Sequence, residues 1–135
     1  MTKLYGCLIL VDDFADDAGI VHKQAGSVLN RLFLSGRHHG ISTIVSTQKL
    51  ALISSPMKVN ATGMLLFKVR SRIERDALEM MVSALLSPDE FRELYEAATK
   101  QPYSFLYVKL DAKTIQDTFF VRFEESITFE DEEEG

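Results

Sequence analysis

A short apolar run that ends in two carboxylates constrains the fold of this chain more than any other feature. Residues 7–11 read Cys-Leu-Ile-Leu-Val, and Asp12 and Asp13 follow directly. An uninterrupted apolar run predicts a strand that is buried on both faces, as in the parallel sheet of an α/β domain. Such sheets carry their chemistry just beyond the carboxyl ends of their strands. We therefore expect a functional edge at Asp12 and Asp13, and a buried Cys7 rather than a reactive thiol.

Two adjacent carboxylates repel each other, so a fold that keeps them together usually supplies a cation or a proton. The pair Asp12 and Asp13 thus indicates a metal or proton-transfer site at the strand end. An aspartate that caps the next helix, beside an exposed neighbour, would give the same pattern. A phosphorelay receiver domain is excluded, because it needs a phosphate-accepting aspartate after a later strand and residues 18–73 contain no acidic side chain.

The composition bounds the class of protein. With 135 residues, 46% of them hydrophobic and 26% charged, the chain is one small domain or part of a larger one, and bulk disorder is excluded. Its longest apolar runs are far too short to span a bilayer. The single cysteine excludes an internal disulfide and predicts a reducing, intracellular setting.

The charges are distributed unevenly along the chain. The net charge is −5, yet the acid-free stretch Ala18–Ile73 carries basic side chains throughout. Such a stretch either faces phosphates, of a nucleotide or of nucleic acid, or forms a solvated face paired with acids elsewhere. In the first case Lys68 and Arg70 share one face of a strand and Arg72 extends the row along a nucleic acid backbone. Residues 124–135 are strongly acidic and predict a disordered tail.

Hydrophobic periodicity predicts the element order β, α, β, short α, β, α, α, β, β over residues 1–123. This order predicts the α/β class, with a mostly parallel sheet flanked by helices and an antiparallel hairpin at its edge. The predicted strands are Leu4–Val11, Ile41–Val45, Met64–Val69, Tyr103–Leu110 and Thr118–Phe123, and the predicted helices begin near Lys23, Lys49, Ser71 and Ser87.

Local signals predict where these helices begin and end. Gly36 is expected to end the first helix, and Pro56 to stop the short second one. Ser71 is expected to cap the third helix through a capping box with Glu74. Ser87 is expected to cap the fourth, which has Pro88 and acidic residues in its first turn and the apolar stripe Phe91, Leu94, Tyr95 and Ala98. Met80 and Met81 are expected in the core.

Two further polar groups lie near predicted strand ends. Gln48 follows the strand Ile41–Val45, and an amide there can orient an attacking water or sense a γ-phosphate. Alternatively, Gln48 is a turn residue or a helix cap. Arg37 ends the preceding helix, and its planar, permanently charged guanidinium suits a phosphoryl transition state. A basic residue that only stabilises the carboxyl end of a helix is the alternative for Arg37.

Three stretches together resemble a known family. They are residues 8–13, residues 32–42 with the segment Arg-His-His-Gly-Ile-Ser, and Ser46-Thr47-Gln48. In this order they resemble the genome-packaging ATPase of poxviruses and other large nucleocytoplasmic DNA viruses, in the FtsK–HerA group of P-loop motors. Asn60 lies where such ATPases carry an Arg-x-Asn-like segment, with Lys58 in the arginine position.

The resemblance implies a RecA-like P-loop NTPase fold and a role for each candidate residue. Asp12 would hold Mg²⁺ through water, Asp13 would be the catalytic base and Gln48 the sensor. Arg37 would act on the phosphates of ATP in the same or a neighbouring subunit. The implied cofactors are ATP and Mg²⁺, and the implied partners are double-stranded DNA and further copies in a homo-oligomeric ring. A viral protein of this kind would be found in the virion or the viral factory, inside the cell.

One motif of that family is missing from the sequence. No Gly-x-x-x-x-Gly-Lys-Ser/Thr occurs, so the backbone nest and lysine that hold the β- and γ-phosphates are absent. The chain therefore looks like the carboxyl half of such an ATPase, from the Walker B strand onward, and we expect it to be inactive alone. A non-enzymatic α/β module that binds nucleic acid or protein, or a degenerate ATPase remnant, is the alternative.

Overall fold

The fold is α/β, as the order of predicted elements indicates. A computed structural model describes residues 6–12, 26–50 and 53–127, and the chain divides into two compact units, Met1–Ala61 and Thr62–Gly135. The first unit contains a two-stranded parallel sheet and the second a four-stranded antiparallel sheet, each with helices. No helix in the described part of the chain combines the length and apolarity needed to cross a membrane.

The first unit is built around a β-α-β motif. Strand β1 (Cys7–Val11) pairs in parallel with β2 (Ile41–Val45), in a register that places Val11 beside Val45. Helix α1 (Gly26–Ser35) lies between the two strands in the sequence, as a parallel connection requires. Buried Leu29 and Met57 form the centre of its core. The partly buried residues around this centre are Val11, Leu32, Phe33, Val45 and Ile53.

Strand β1 is not buried on both faces, and this part of the sequence-based prediction is wrong. Leu8 and Leu10 are 62% and 64% exposed, and Cys7 is exposed as well. The core of the first unit contacts the sheet through Val11 and Val45, which lie on the other side of their strands. In the described part of the first unit, helices pack on one face of the sheet only. The apolar run is therefore covered on one face, whereas its sequence predicts burial on both.

The helix ends in the first unit differ from the predicted ones. A 3₁₀ turn (Gly36–His39) continues α1, and Gly40, with φ of 68°, adopts the left-handed conformation that ends it. Gly36 is instead buried, where a Cβ would lie 3.3 Å from the carbonyl oxygen of Ile41. Helix α2 (Ser55–Asn60) begins where a stop was predicted, because proline is tolerated in a first turn.

The second unit is an antiparallel sheet in the order β3-β4-β5-β6. Its strands are β3 (Gly63–Phe67), β4 (Phe105–Lys109), β5 (Phe119–Val121) and β6 (Glu125–Ser126). The predicted pairing of the last two long strands is confirmed as β4 with β5. Antiparallel pairing extends further than an edge hairpin, because β3 also pairs with β4 in this sense. Strand β6 comes from the first residues of the predicted tail, and residues 128–135 lie outside the described part.

The unit has two helices, α3 (Arg72–Met81) and α4 (Pro88–Ala98): α4 packs on β4, and α3 packs on α4. The predicted cap of α4 is confirmed: the Ser87 hydroxyl accepts a hydrogen bond from the Glu90 amide, and the Glu90 carboxylate accepts one from the Ser87 amide. At α3 the Ser71 side chain makes no capping hydrogen bond, so the capping box predicted there is absent. Met80 is exposed rather than in the core.

The predicted apolar stripe of α4 is confirmed as the centre of the second core. Phe91, Leu94, Tyr95 and Ala98 are all buried against the strands. The Tyr95 hydroxyl donates to the Phe67 carbonyl at 2.7 Å and accepts from the Val69 amide at 2.9 Å. Burial raises the pKa of this hydroxyl, and the hydrogen bond from the Val69 amide and nearby Arg75 partly oppose the shift. Tyr95 therefore ties the end of β3 to α4.

Candidate functional site

The parallel strands bring Asp12 and Ser46 together at one edge of the first unit. Because β1 and β2 run in register, the residues after Val11 and Val45 lie side by side. The Ser46 amide donates to the Val11 carbonyl at 2.9 Å, and the Ser46 hydroxyl donates to Asp12 Oδ1 at 2.8 Å. Asp12 remains exposed. A solvent-accessible carboxylate is thus held in a defined position at the carboxyl edge of the sheet.

Ser46 is the site residue that the sequence analysis did not single out. Of the three adjacent polar residues Ser46, Thr47 and Gln48, only Gln48 was predicted to act at the site. The signal that could have identified Ser46 is its position: it follows the second strand directly, as Asp12 follows the first. If two parallel strands of equal length are in register, the first residue beyond one strand lies beside the first residue beyond the other.

Gln48 lies at the same edge, two residues beyond Ser46, and is exposed. The turn that carries it is held by Thr47, whose Oγ1 accepts from the Lys49 amide at 3.1 Å and donates to the Lys49 carbonyl at 3.2 Å. Asp13, the candidate base, lies outside the described residues. At this edge the structure shows Asp12 in contact with Ser46, and Gln48 follows Ser46 by two residues in the same loop.

Arg37 lies at the opposite end of the parallel pair. It belongs to the exposed turn that precedes β2, and the Gly40 carbonyl next to this turn accepts a hydrogen bond from the Cys7 amide at the start of β1. A five-residue strand separates that end from Asp12, which corresponds to about 16 Å. The structure does not bring Arg37 and Asp12 together within one chain.

The Arg-x-Asn-like segment lies on α2. Asn60 Nδ2 donates to the Pro56 carbonyl at 2.8 Å, so this amide is engaged within its own helix. Lys58 is half-buried on the same helix. The helix is anchored at its start, where the Ser54 hydroxyl accepts from the Met57 amide at 3.4 Å and donates to Asn30 Oδ1 at 2.5 Å.

The oxygen atoms at the edge are suited to a hard cation. No three side chains of His, Cys, Asp or Glu come together among residues 6–12, 26–50 and 53–127, so a cage made only of such ligands is not seen there. Mg²⁺ does not require one, because it keeps several waters and usually takes one or two carboxylates together with substrate phosphates. The exposed Asp12 carboxylate, with the Ser46 hydroxyl beside it, fits this donor set.

The predicted basic row has a different geometry from the expected one. Strand β3 ends at Phe67, so Lys68 and Arg70 lie in the segment after it, and their predicted alternation on a strand is wrong. Arg72 begins α3, with its Nε 3.9 Å from the Asp76 carboxylate. All three basic side chains are exposed, within five consecutive residues.

Comparison with known proteins finds DNA translocases. Over 76 residues the chain is 33% identical to the DNA translocase FtsK of Pseudomonas syringae pv. tomato, and equally so to that of Shewanella oneidensis. These matches cover 55% of this chain, which spans only 10% and 8% of the two relatives. No family model matches the chain. No solved structure matches it either. The similarity supports a relationship to FtsK-like proteins over part of the chain.

Proposed function

We propose that the chain is the carboxyl half of a DNA-translocating ATPase of the genome-packaging kind, and that it supplies the acidic strand end and the sensor amide of the ATP site. The observation that carries this proposal is the hydrogen bond that holds Asp12 to Ser46, two residues before Gln48, at the carboxyl ends of two parallel strands. The similarity to the DNA translocase FtsK supports the same activity.

Each candidate residue has a role that fits its position. Asp12 would hold Mg²⁺ through water, and this ion would neutralise charge on the phosphates of ATP. Asp13 would accept the proton of the attacking water, and Gln48 would orient that water. Because Arg37 lies at the other end of the strands, we propose that it acts on ATP bound to a neighbouring subunit, which requires a ring or another oligomer.

The second candidate is a non-enzymatic module that binds nucleic acid or protein, or a degenerate remnant of an ATPase. The observation that favours it is that no Gly-x-x-x-x-Gly-Lys-Ser/Thr occurs in these 135 residues. The two candidates differ in whether the edge at Asp12 contributes to hydrolysis once a P-loop is supplied.

We expect the isolated chain to hydrolyse ATP no faster than the buffer does. Asp12 and Asp13 alone repel a triphosphate, and the sequence has no P-loop motif to supply the lysine that would bind it. The measurement is phosphate release with and without Mg²⁺, by the chain alone and by the chain joined to a P-loop segment of an FtsK relative. Mg²⁺-dependent turnover that appears only with the P-loop segment supports the ATPase. No turnover in a fusion that is folded by circular dichroism supports the module.

The basic segment is expected to bind duplex DNA without sequence preference and to lose affinity steeply with salt. Each phosphate contact contributes about one unit to the slope of log affinity against log salt. Replacing Lys68, Arg70 and Arg72 together with glutamine should lower the slope by about three. The measurement is a salt titration on two unrelated DNA sequences. The control replaces Lys100 and Lys113, which are also exposed in the second unit.

The acidic tail is expected to compete with DNA for this segment, so its removal should strengthen binding. The deletion begins at residue 128, because Glu125–Ser126 form β6 and belong to the sheet. If the shortened chain shows no binding at low salt, the basic segment is a solvated face and its proposed contact with DNA is wrong.

A further inference from the structure

The antiparallel sheet presents a set of aromatic rings on the side opposite helix α4. Leu106 and Val108 on β4 are fully buried, and the residues that alternate with them lie on the other side of the sheet. Ring centroids there lie 5.0 Å apart for Phe67 and Phe105, 5.1 Å for Phe105 and Phe123, 5.1 Å for Tyr107 and Phe123, and 5.8 Å for Tyr107 and Phe120. We call these five residues the aromatic face.

The aromatic face is open to solvent in the described part of the second unit. Phe67 is 51% and Phe123 is 65% exposed, although both rings contact their neighbours. Gly63 on β3 helps to keep the face flat, since a Cβ at this position would lie 3.1 Å from Tyr107 Cε2. A connected apolar patch at the surface of a protein usually marks a site of interaction.

The charges around the aromatic face favour a negatively charged partner. Lys109 follows Phe105 and Tyr107 on the same side of β4 and is exposed, and Lys68 follows Phe67. No described carboxylate forms an ion pair with either lysine. Arg122 Nη2 lies 3.6 Å from Glu124 Oε2, so the charges of these two side chains offset each other. The face therefore combines exposed rings with Lys109, a cation that none of the described carboxylates pairs.

We propose that the aromatic face binds single-stranded DNA. Unpaired bases would stack on the exposed rings of Phe67 and Phe123. Lys109, beyond Tyr107 on the same side of β4, would contact a phosphate of the next nucleotide along the strand. Stacking of this kind accepts any base, and it requires bases that are free of a duplex. The proposal needs neither ATP nor the edge at Asp12, so it stands apart from the proposed ATPase. A purely apolar partner would explain the rings but not the unpaired Lys109 beside them.

The test measures binding of fluorescently labelled oligo(dT) to the purified chain by anisotropy, with a duplex of similar length as comparison. We expect Phe67→Leu and Phe123→Leu each to weaken binding of oligo(dT) roughly tenfold, because leucine keeps apolar area but has no ring to stack on. Lys109→Gln should reduce the salt dependence by about one unit of slope. The matched control is Tyr103→Leu, which removes a ring that is 95% exposed and makes none of the ring contacts of the aromatic face.

The outcomes separate the proposal from its competitors. Absent binding of oligo(dT), or binding that neither phenylalanine variant changes while both stay folded by circular dichroism, overturns the proposal. Equal loss of duplex binding in the two variants also overturns it, since paired bases cannot stack on the rings. If sedimentation shows self-association that Phe123→Leu abolishes, and oligo(dT) does not compete with it, the occupant of the face is a protein.

Discussion

Replacing Asp13 with asparagine is expected to lower ATP hydrolysis by the P-loop fusion roughly 10²- to 10⁴-fold. This range is what a positioned general base contributes, because an amide cannot take the proton of the attacking water. The binding of ATP should change little, since the phosphates are held by the P-loop segment. The measurement is steady-state phosphate release at saturating ATP, together with the affinity for a labelled nucleotide.

The control for this experiment is Asp111→Asn, an exposed aspartate of the second unit that we place in no site. Ser46→Ala is a second comparison: it removes the hydrogen bond to Asp12 but leaves the carboxylate, so a smaller loss is expected than for Asp12→Asn. If Asp13→Asn hydrolyses ATP as fast as the unmodified fusion does, the assignment of Asp13 as the base is wrong.

Replacing Phe91 with alanine is expected to remove a large part of the stability of the second unit. Phe91 is fully buried and stacks on Tyr95, with ring centroids 5.3 Å apart. Removing a buried phenylalanine costs about 3–5 kcal/mol, against a total of about 5–15 kcal/mol for a typical domain. The measurement is urea denaturation followed by circular dichroism, which should show a much lower midpoint.

Tyr103→Ala is the matched control for Phe91→Ala. It deletes a side chain of similar size that is almost fully exposed, so the midpoint should shift by less than the equivalent of about 0.5 kcal/mol. Equal shifts for the two variants, or an unchanged midpoint for Phe91→Ala, would mean that α4 does not pack on the sheet as described.

The sequence predicted those features that depend on neighbours along the chain. The strands β1 and β2, the cap at Ser87 and the buried stripe of α4 all follow from local patterns, and all are present. The sequence also predicted that the polar residues after β1 and β2 lie at one edge, because two strands joined by a helix run parallel and end at the same edge. The carboxylate at that edge could therefore be predicted, although its partner Ser46 could not be chosen from three adjacent polar residues.

Contacts between distant segments decided the rest. Alternation shows that Leu8 and Leu10 share one side of β1, but only the folded chain shows that the helices of the first unit pack on the other side. The antiparallel pairing of β3 with β4 depends on how two intervening helices fold back, and the aromatic face then collects rings from strands far apart in sequence. Arg37 lies away from Asp12 for a similar reason. Residue type and spacing along the chain determine which face of each element is apolar. Which element covers that face depends on contacts between segments that are far apart in the sequence.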